Sequence, residues 1–323
     1  PTSNSSSSGS SSRPGRMGKT EAMAVEAVPV AQVVPVVQEM ERTPLRATSG
    51  VILRQDTQGL ESLAAAFGVP YEAKNRYRVA PLPKGATVGN SAGDPRRWKP
   101  TSRELSEAPV VLYAKEESDL CERMVLTYCG CGNLRKFKIH FFDANQNEQM
   151  RLDRECRLGG ELCCPIVTEV LSRDEQGNLA QIGRVRENFD NYPARCCQQV
   201  CCCTGRELLE ELNPTSGKFE PKYEMHVNRA CFGRTNNCCG ATCLRNDMVF
   251  HITDATNGAK VSNVQKTYGG GGGDSCGSLF RMCFGFSNYL VEFPDAASEE
   301  HRRLLIAATL HSEYLFFEKD GGD

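Results

Sequence analysis

Cysteine is the residue type in this chain with the most chemistry to offer. There are 17, and many cluster: Cys196-Cys197 with Cys201-Cys202-Cys203, Cys238-Cys239 with Cys243, and Cys163-Cys164 before Pro165. A structural zinc site takes four tetrahedral ligands, commonly offered as paired Cys-x2-Cys knuckles. No cluster here contains that knuckle or a His, and neighbouring cysteines on a strand point in opposite directions. Thioacylation suits clustered thiols beside apolar residues, because each buried methylene of a thioester chain adds about 0.8 kcal/mol of membrane affinity. The plain alternative is small buried hydrophobes and unreacted loop thiols. The first dozen residues are mostly Ser, with no secretion-signal pattern. The expectation is therefore a cytosolic chain with reduced thiols rather than a disulfide framework.

Other chemistries find less support. Asp143, Asn145 and Asn147 open like a calcium loop, but Glu148 stands where the loop's Gly belongs and Arg154 where its last carboxylate belongs. A hairpin turn is the better reading. The five His residues form no nucleophile motif, and Gly269–Gly273 lacks the Gly-Lys-Ser/Thr of a phosphate loop. No hydrolytic or redox motif is present, so an enzyme is not expected. The basic clusters Arg96-Arg97-Lys99 and Arg135-Lys136-Lys138 are short of a lipid-headgroup patch.

These residues must be held by a fold, and 323 residues allow one large domain or two ordinary ones. With 38 basic and 40 acidic residues the net charge is −2, so no nucleic-acid partner is expected. Apolar runs stop short of the roughly 20 residues of a spanning helix: Glu26, Pro29 and Pro35 break Ala22–Val37. Residues 1–58 read as a Ser/Pro-rich disordered region, with Ala22–Val37 a linker or docking peptide for protein partners. Met17 is a candidate natural start. The ordered domain is expected over 59–319, followed by a tail at 320–323.

Arg54–Phe67 carries helical spacing in Leu60, Leu63 and Phe67. A strand follows near Tyr77–Val79, then Pro81–Ala108, which reads as a surface insertion. Beyond Pro109 the period becomes two. Phe137, Ile139 and Phe141 alternate with Lys138 and His140; Met248, Phe250 and Ile252 form another run, and Tyr289, Val291 and Phe293 a third. Turn signals separate the runs: Asn145–Asn147, Gln176–Asn178, Ser216–Lys218 and Asn257-Gly258. This predicts an antiparallel, mainly β domain. The exception is Ser298–Phe317. Ser298 can cap a helix whose first turn carries Glu299 and Glu300. Leu304, Leu305, Ile306, Ala308, Leu310, Leu315 and Phe316 cover nearly its whole circumference. Such a helix is buried, here inside a β-barrel, with Arg302 and Arg303 expected to protrude from the mouth.

With these elements in place, the order of features resembles the phospholipid scramblase family. The stretch from Val110 through Ala114-Lys115-Glu116-Glu117 to Cys121 resembles its first barrel strand, preceded by the similar Tyr71–Tyr77. Phe137–Arg154 resembles the next hairpin, Cys163-Cys164-Pro165 the cysteine-proline palmitoylation run, and Cys231 with Cys238-Cys239-Gly240 a later cysteine strand. Glu292-Phe293-Pro294, the helix and Tyr314–Glu318 match the family's end without a gap. The resemblance covers about 59–319, apart from insertions near 81–108 and 193–220.

The resemblance implies a closed, twelve-stranded tubby-like barrel around the C-terminal helix. It implies ATP-independent, calcium-regulated movement of membrane phospholipids between leaflets, at the cytoplasmic face of the plasma membrane. Covalent palmitate is expected on Cys163 and Cys164, with Cys196, Cys197, Cys201, Cys202 and Cys203 as further candidates. The family's calcium segment is Asp-rich, whereas Gly285-Phe286-Ser287-Asn288 holds no carboxylate. That leaves Asn288, Glu292 and Asp295 as candidate Ca²⁺ ligands. The rival expectation is a membrane-tethered, tubby-like lipid- or protein-binding module that does not scramble.

Overall fold

The computed structural model describes residues 45–55, 75–90, 94–118, 134–157, 164–174, 176–190, 193, 204–228, 248–267 and 288–317. Twelve strands form one closed antiparallel barrel in which every strand pairs with its sequence neighbours and β1 closes against β12. They are β1 Gly50–Gln55, β2 Arg76–Pro81, β3 Leu112–Glu117, β4 Phe137–Phe142, β5 Glu148–Arg154 and β6 Val167–Arg173. The second half comprises β7 Leu179–Glu187, β8 Thr204–Leu212, β9 Phe219–Asn228, β10 Met248–Asp254, β11 Lys260–Thr267 and β12 Asn288–Glu292. A short helix α1, Ser102–Glu107, lies between β2 and β3, and α2, Glu299–Ser312, ends in a π turn, Glu313–Phe317.

The period-two runs become strands for the expected reason. Phe137, Ile139 and Phe141 point inward with Met150 and Leu152 beside them, and Lys138 stays exposed. The four turn signals all join strands. Asp143 accepts backbone N–H bonds from Asn145 and Asn147, each at 2.9 Å, while Gln146 takes a positive φ. Its carboxylate therefore organises a hairpin. Gly258, with φ +71°, supplies the left-handed residue of the β10–β11 turn.

Helix α2 threads the barrel. The Ser298 side chain accepts a bond from the His301 N–H and caps it. Leu304, Leu305, Ile306, Ala308, Leu310, Leu315 and Phe316 are all buried in the one core that fills the barrel. Each large apolar side chain so buried contributes roughly 1.5–3 kcal/mol. Gly205 on β8 faces Phe316 so closely that a Cβ would overlap the ring.

Several expectations need correction. The barrel starts at β1, before Gly59, and Arg54 and Gln55 belong to that strand rather than to a helix. The rest of the expected helix lies outside the described residues. Val51, Ile52 and Leu53 are buried on both faces of the sheet, so β1 carries no alternation to read. The stretch resembling a first barrel strand is β3. The region near 193–220 contains β8 and the start of β9; its inward Glu207 breaks the apolar pattern. The 81–108 region is a strap with its own core: Leu82, Val88 and Leu105 cover the outer faces of Ile52, Ala80 and Leu290. A Thr101–Glu104 capping box fixes α1 within it. Gln265 locks the strap on, accepting from the Gly89 N–H at 3.0 Å and donating to the Trp98 carbonyl at 3.2 Å.

Arg302 and Arg303 do not protrude freely. Arg302 donates to the carbonyls of Leu45, Arg46 and Thr48. Arg303 is buried and bonds Ser172 and Glu299. Backbone carbonyls and a carboxylate at the barrel mouth draw both guanidiniums inward.

Candidate functional site

Because each strand pairs with its sequence neighbours in antiparallel order, the connections separate into two sets. Connections β2–β3, β4–β5, β6–β7, β8–β9 and β10–β11 leave from one end of the barrel, and β1–β2, β3–β4, β5–β6, β7–β8, β9–β10 and β11–β12 leave from the other. All 17 cysteines belong to the second set, in five of its six connections. The β3–β4 connection carries Cys121, Cys129 and Cys131; β5–β6 carries Cys156, Cys163 and Cys164; and β7–β8 carries Cys196, Cys197 and Cys201–Cys203. Cys156 is an exposed thiol and Cys164 a half-buried one, and neither forms a disulfide. Cys163, the five β7–β8 cysteines, Cys231, Cys238 and Cys239 lie outside the described residues.

The same end receives the C-terminus of α2, where the interior turns from apolar to charged. Four consecutive residues each reach a different part of the wall. His311 Nδ1 lies 2.8 Å from Thr168 Oγ1 on β6, and Ser312 Oγ donates to Glu207 Oε1 on β8 at 2.8 Å. Glu313 accepts from Lys266 on β11 at 3.1 Å and from Tyr289 on β12. Tyr314 Oη donates to Glu116 on β3 at 2.9 Å. His311 and Ser312 end the α-helical part and Glu313 and Tyr314 open the π turn; successive helical residues point about 100° apart, so the four reach separate strands.

This collar is electrostatically supported. Arg135 pairs with Glu116, and the Arg154 guanidinium stacks 4.3 Å from the centre of the Phe137 ring. Glu187 and Glu207 are direct partners across β7 and β8, and both are fully buried. Burial pushes the Glu207 carboxyl well above the usual range; the Ser312 bond opposes that shift and nearby Glu187 adds to it. Burial lowers His311 to about 3, helped by the Arg154 charge, so its imidazole is neutral.

Sequence reasoning missed the charged collar, although a signal was present. Glu116 has the inward parity of Leu112 and Ala114, Glu187 that of Val185, and Lys266 that of Val264. A charge at an inward position, where a polar group needs a buried partner, marks the wall that clasps the helix tail.

The three calcium candidates are not gathered together. Asn288 and Glu292 stand at opposite ends of β12, opposite Arg54 and Gly50 respectively. At about 3.3 Å per residue they are about 13 Å apart, too far for ligands that each lie roughly 2.5 Å from one Ca²⁺. Asn288 is buried and donates to the Thr267 carbonyl, Glu292 accepts from Asn263, and Asp295 is exposed. Burial raises the Glu292 carboxyl, against the bonds from Asn263. These residues do not fit a shared calcium ion. Among the described residues, no group of three His, Cys, Asp or Glu is placed to hold a metal.

The fold and site define a twelve-stranded barrel filled by its own C-terminal helix, with every cysteine assigned to connections at one end. Comparison of the chain with family models, curated proteins and solved structures finds no match. Among the described residues, no helix is long and apolar enough to cross a membrane.

Proposed function

We propose that this chain is a membrane-apposed barrel of the phospholipid scramblase type, which moves phospholipids between leaflets without ATP. In this reading it sits on the cytoplasmic face of a membrane, most naturally the plasma membrane, held by thioester-linked palmitate. The observation that carries the reading is the segregation of all 17 cysteines to connections at one barrel end. Two or more acyl chains on one end give stable anchoring, where a single chain gives marginal binding. Cys164 and the neighbouring Cys163 are the first attachment candidates, followed by Cys196, Cys197 and Cys201–Cys203.

The barrel interior is packed with α2, so lipid headgroups in this reading travel along the outside of the protein. Contact with the bilayer at the anchored end would then have to lower the cost of taking a polar headgroup through hydrocarbon. The packed interior also favours a second reading, a tethered lipid- or protein-binding module that draws partners through its Pro-rich N-terminal region. Membrane fractions of a eukaryotic host, treated with and without hydroxylamine, test the anchor shared by both readings. Release by thioester cleavage is expected; hydroxylamine-insensitive retention would remove the acyl anchor. Leaflet exchange in vesicles separates the two readings.

A further inference from the structure

The outer face of β9 and β10 brings two histidines together. His226 on β9 and His251 on β10 are direct cross-strand partners, the pair of that ladder nearest the cysteine-bearing end. Both side chains point outward, because Met225 and Val227 beside one, and Phe250 and Ile252 beside the other, are buried in the barrel core. Each histidine is half-buried.

The hydrogen bonds around the pair fix where each imidazole proton sits. Asn263 Nδ2 donates to Asn90 Oδ1 at 3.2 Å and to Glu292 Oε2 at 3.4 Å. Asn263 Oδ1 therefore accepts from His251 Nδ1 at 3.0 Å, and His251 carries its proton on Nδ1. His226 Nε2 lies 3.0 Å from Glu224 Oε2, an acceptor, so His226 carries its proton on Nε2. Glu224 is itself held by Asn188 at 2.6 Å and by Arg206 at 3.2 Å. Arg206 Nη1 and Thr253 Oγ1 also approach His226 Nε2, at 3.2 and 3.3 Å, and the charge of Arg206 is matched by Glu224. One lone pair remains on each ring, at His226 Nδ1 and His251 Nε2. Neither nitrogen makes a hydrogen bond among the described residues.

We propose that His226 and His251 form a binding site for one divalent transition-metal ion of the zinc or copper class, with water completing the coordination. Directly opposed residues have Cβ atoms about 4.5–5.5 Å apart, which lets two imidazoles meet one ion at about 2 Å each. Imidazole nitrogen suits zinc and copper, whereas calcium and magnesium want oxygen. Glu224 and Asn263 are positioning residues: each holds the nitrogen that faces away from the ion, the arrangement found behind metal-bound histidines. Two protein ligands leave the ion open to water and exchangeable. A bound ion would clip β9 to β10 where the 229–247 connection begins and ends, closing that loop. The inference is independent of the membrane-apposed reading above.

The test uses the full chain, kept reduced, with free Zn²⁺ set by a citrate buffer and the five imidazoles followed by nitrogen NMR. Fixing the free ion and watching imidazoles makes the readout blind to zinc taken up by thiols. Saturable shifts are expected at His226 and His251, with His140, His301 and His311 unmoved and no response to Mg²⁺. His226→Gln should weaken the response of His251 by roughly tenfold or more, and His251→Gln that of His226, since each supplies one of two ligands. Glu224→Gln should weaken both by about tenfold without moving the site. His140→Gln, on another part of the wall, should leave the midpoint within about twofold of wild type.

No saturable shift at the pair, shifts at His140 equal to those at the pair (an adventitious ion only), or an unchanged midpoint in either glutamine variant of the pair would each overturn the inference. Should a variant fail to fold, the imidazole shifts of the wild-type chain decide. No arm involves lipid, so the result leaves the membrane reading to its own tests.

Discussion

Glu187 and Glu207 face each other across β7 and β8 inside the barrel, both with no exposed surface. Glu187 Oε2 accepts the Ile166 N–H at 2.8 Å, and Glu207 Oε1 accepts the Ser312 hydroxyl. Two carboxylates so close in a dry interior disfavour double ionisation, and burial together with nearby Glu187 raises the Glu207 carboxyl well above its usual range.

A carboxyl whose folded pKa lies above its unfolded value stabilises the fold below the unfolded value and loses that contribution as pH rises through the folded one. The barrel is therefore expected to lose stability from about pH 4.5 upward on account of Glu207. Glu207→Gln keeps a neutral hydrogen-bonding group and should flatten this slope, raising stability at neutral pH by on the order of 1–3 kcal/mol. Urea unfolding of both proteins across pH checks it; parallel slopes would contradict the assignment.

His311 gives the opposite limb. Its folded value, about 3, lies below the unfolded 6.5. A base lowered in this way stabilises the fold above 6.5, and the contribution is lost as pH falls toward 3. His311→Gln should reduce the acid sensitivity between those values by on the order of a few kcal/mol. Thermal unfolding at several pH values in that window measures the difference.

Gly205→Ala places a methyl group in the Phe316 ring. Overpacking of this kind costs about 1–3 kcal/mol, and Phe316→Leu in the same chain is expected to recover part of it. A double-mutant cycle by denaturant unfolding gives the coupling; simple additivity would place the ring elsewhere.

Leu105→Ala distinguishes a packed strap from a surface insertion. Leu105 is buried against Ile52, Ala80 and Leu290 on the outer barrel face, and its truncation should cost about 2–4 kcal/mol. An exposed loop residue would cost under about 0.5 kcal/mol. Protease sensitivity within 82–108 should rise in parallel.

The fold was legible where one face of an element is apolar and the other wet. Phe137–Phe142 and Met248–Asp254 show their period, and the hairpin turns show Asn and Gly at the required places. The α2 helix was legible because it is apolar all round. Reading failed where both faces are buried. Val51–Leu53 and Leu290 are covered on the outside by the strap, whose few anchors, Leu82, Val88 and Leu105, are spaced too irregularly to announce a core. The charged collar was half legible: inward parity exposes Glu116, Glu187 and Lys266, but that Tyr314 reaches Glu116 and Glu313 reaches Lys266 emerges only from the fold. The cysteine clusters were visible at once, whereas their common end emerges only from the strand order. Asn288 and Glu292 are close in sequence but stand at opposite ends of β12, about 13 Å apart.

The central claim is tested most directly by leaflet exchange. Fluorescent phospholipid would be placed in both leaflets of liposomes containing the full chain from a eukaryotic host, and dithionite added from outside. The account predicts quenching well beyond the outer-leaflet half in intact vesicles, unchanged when calcium is chelated, given the separation of Asn288 from Glu292. Quenching that stops at half, with the protein verifiably membrane-bound, would contradict the scramblase reading and leave the tethered module.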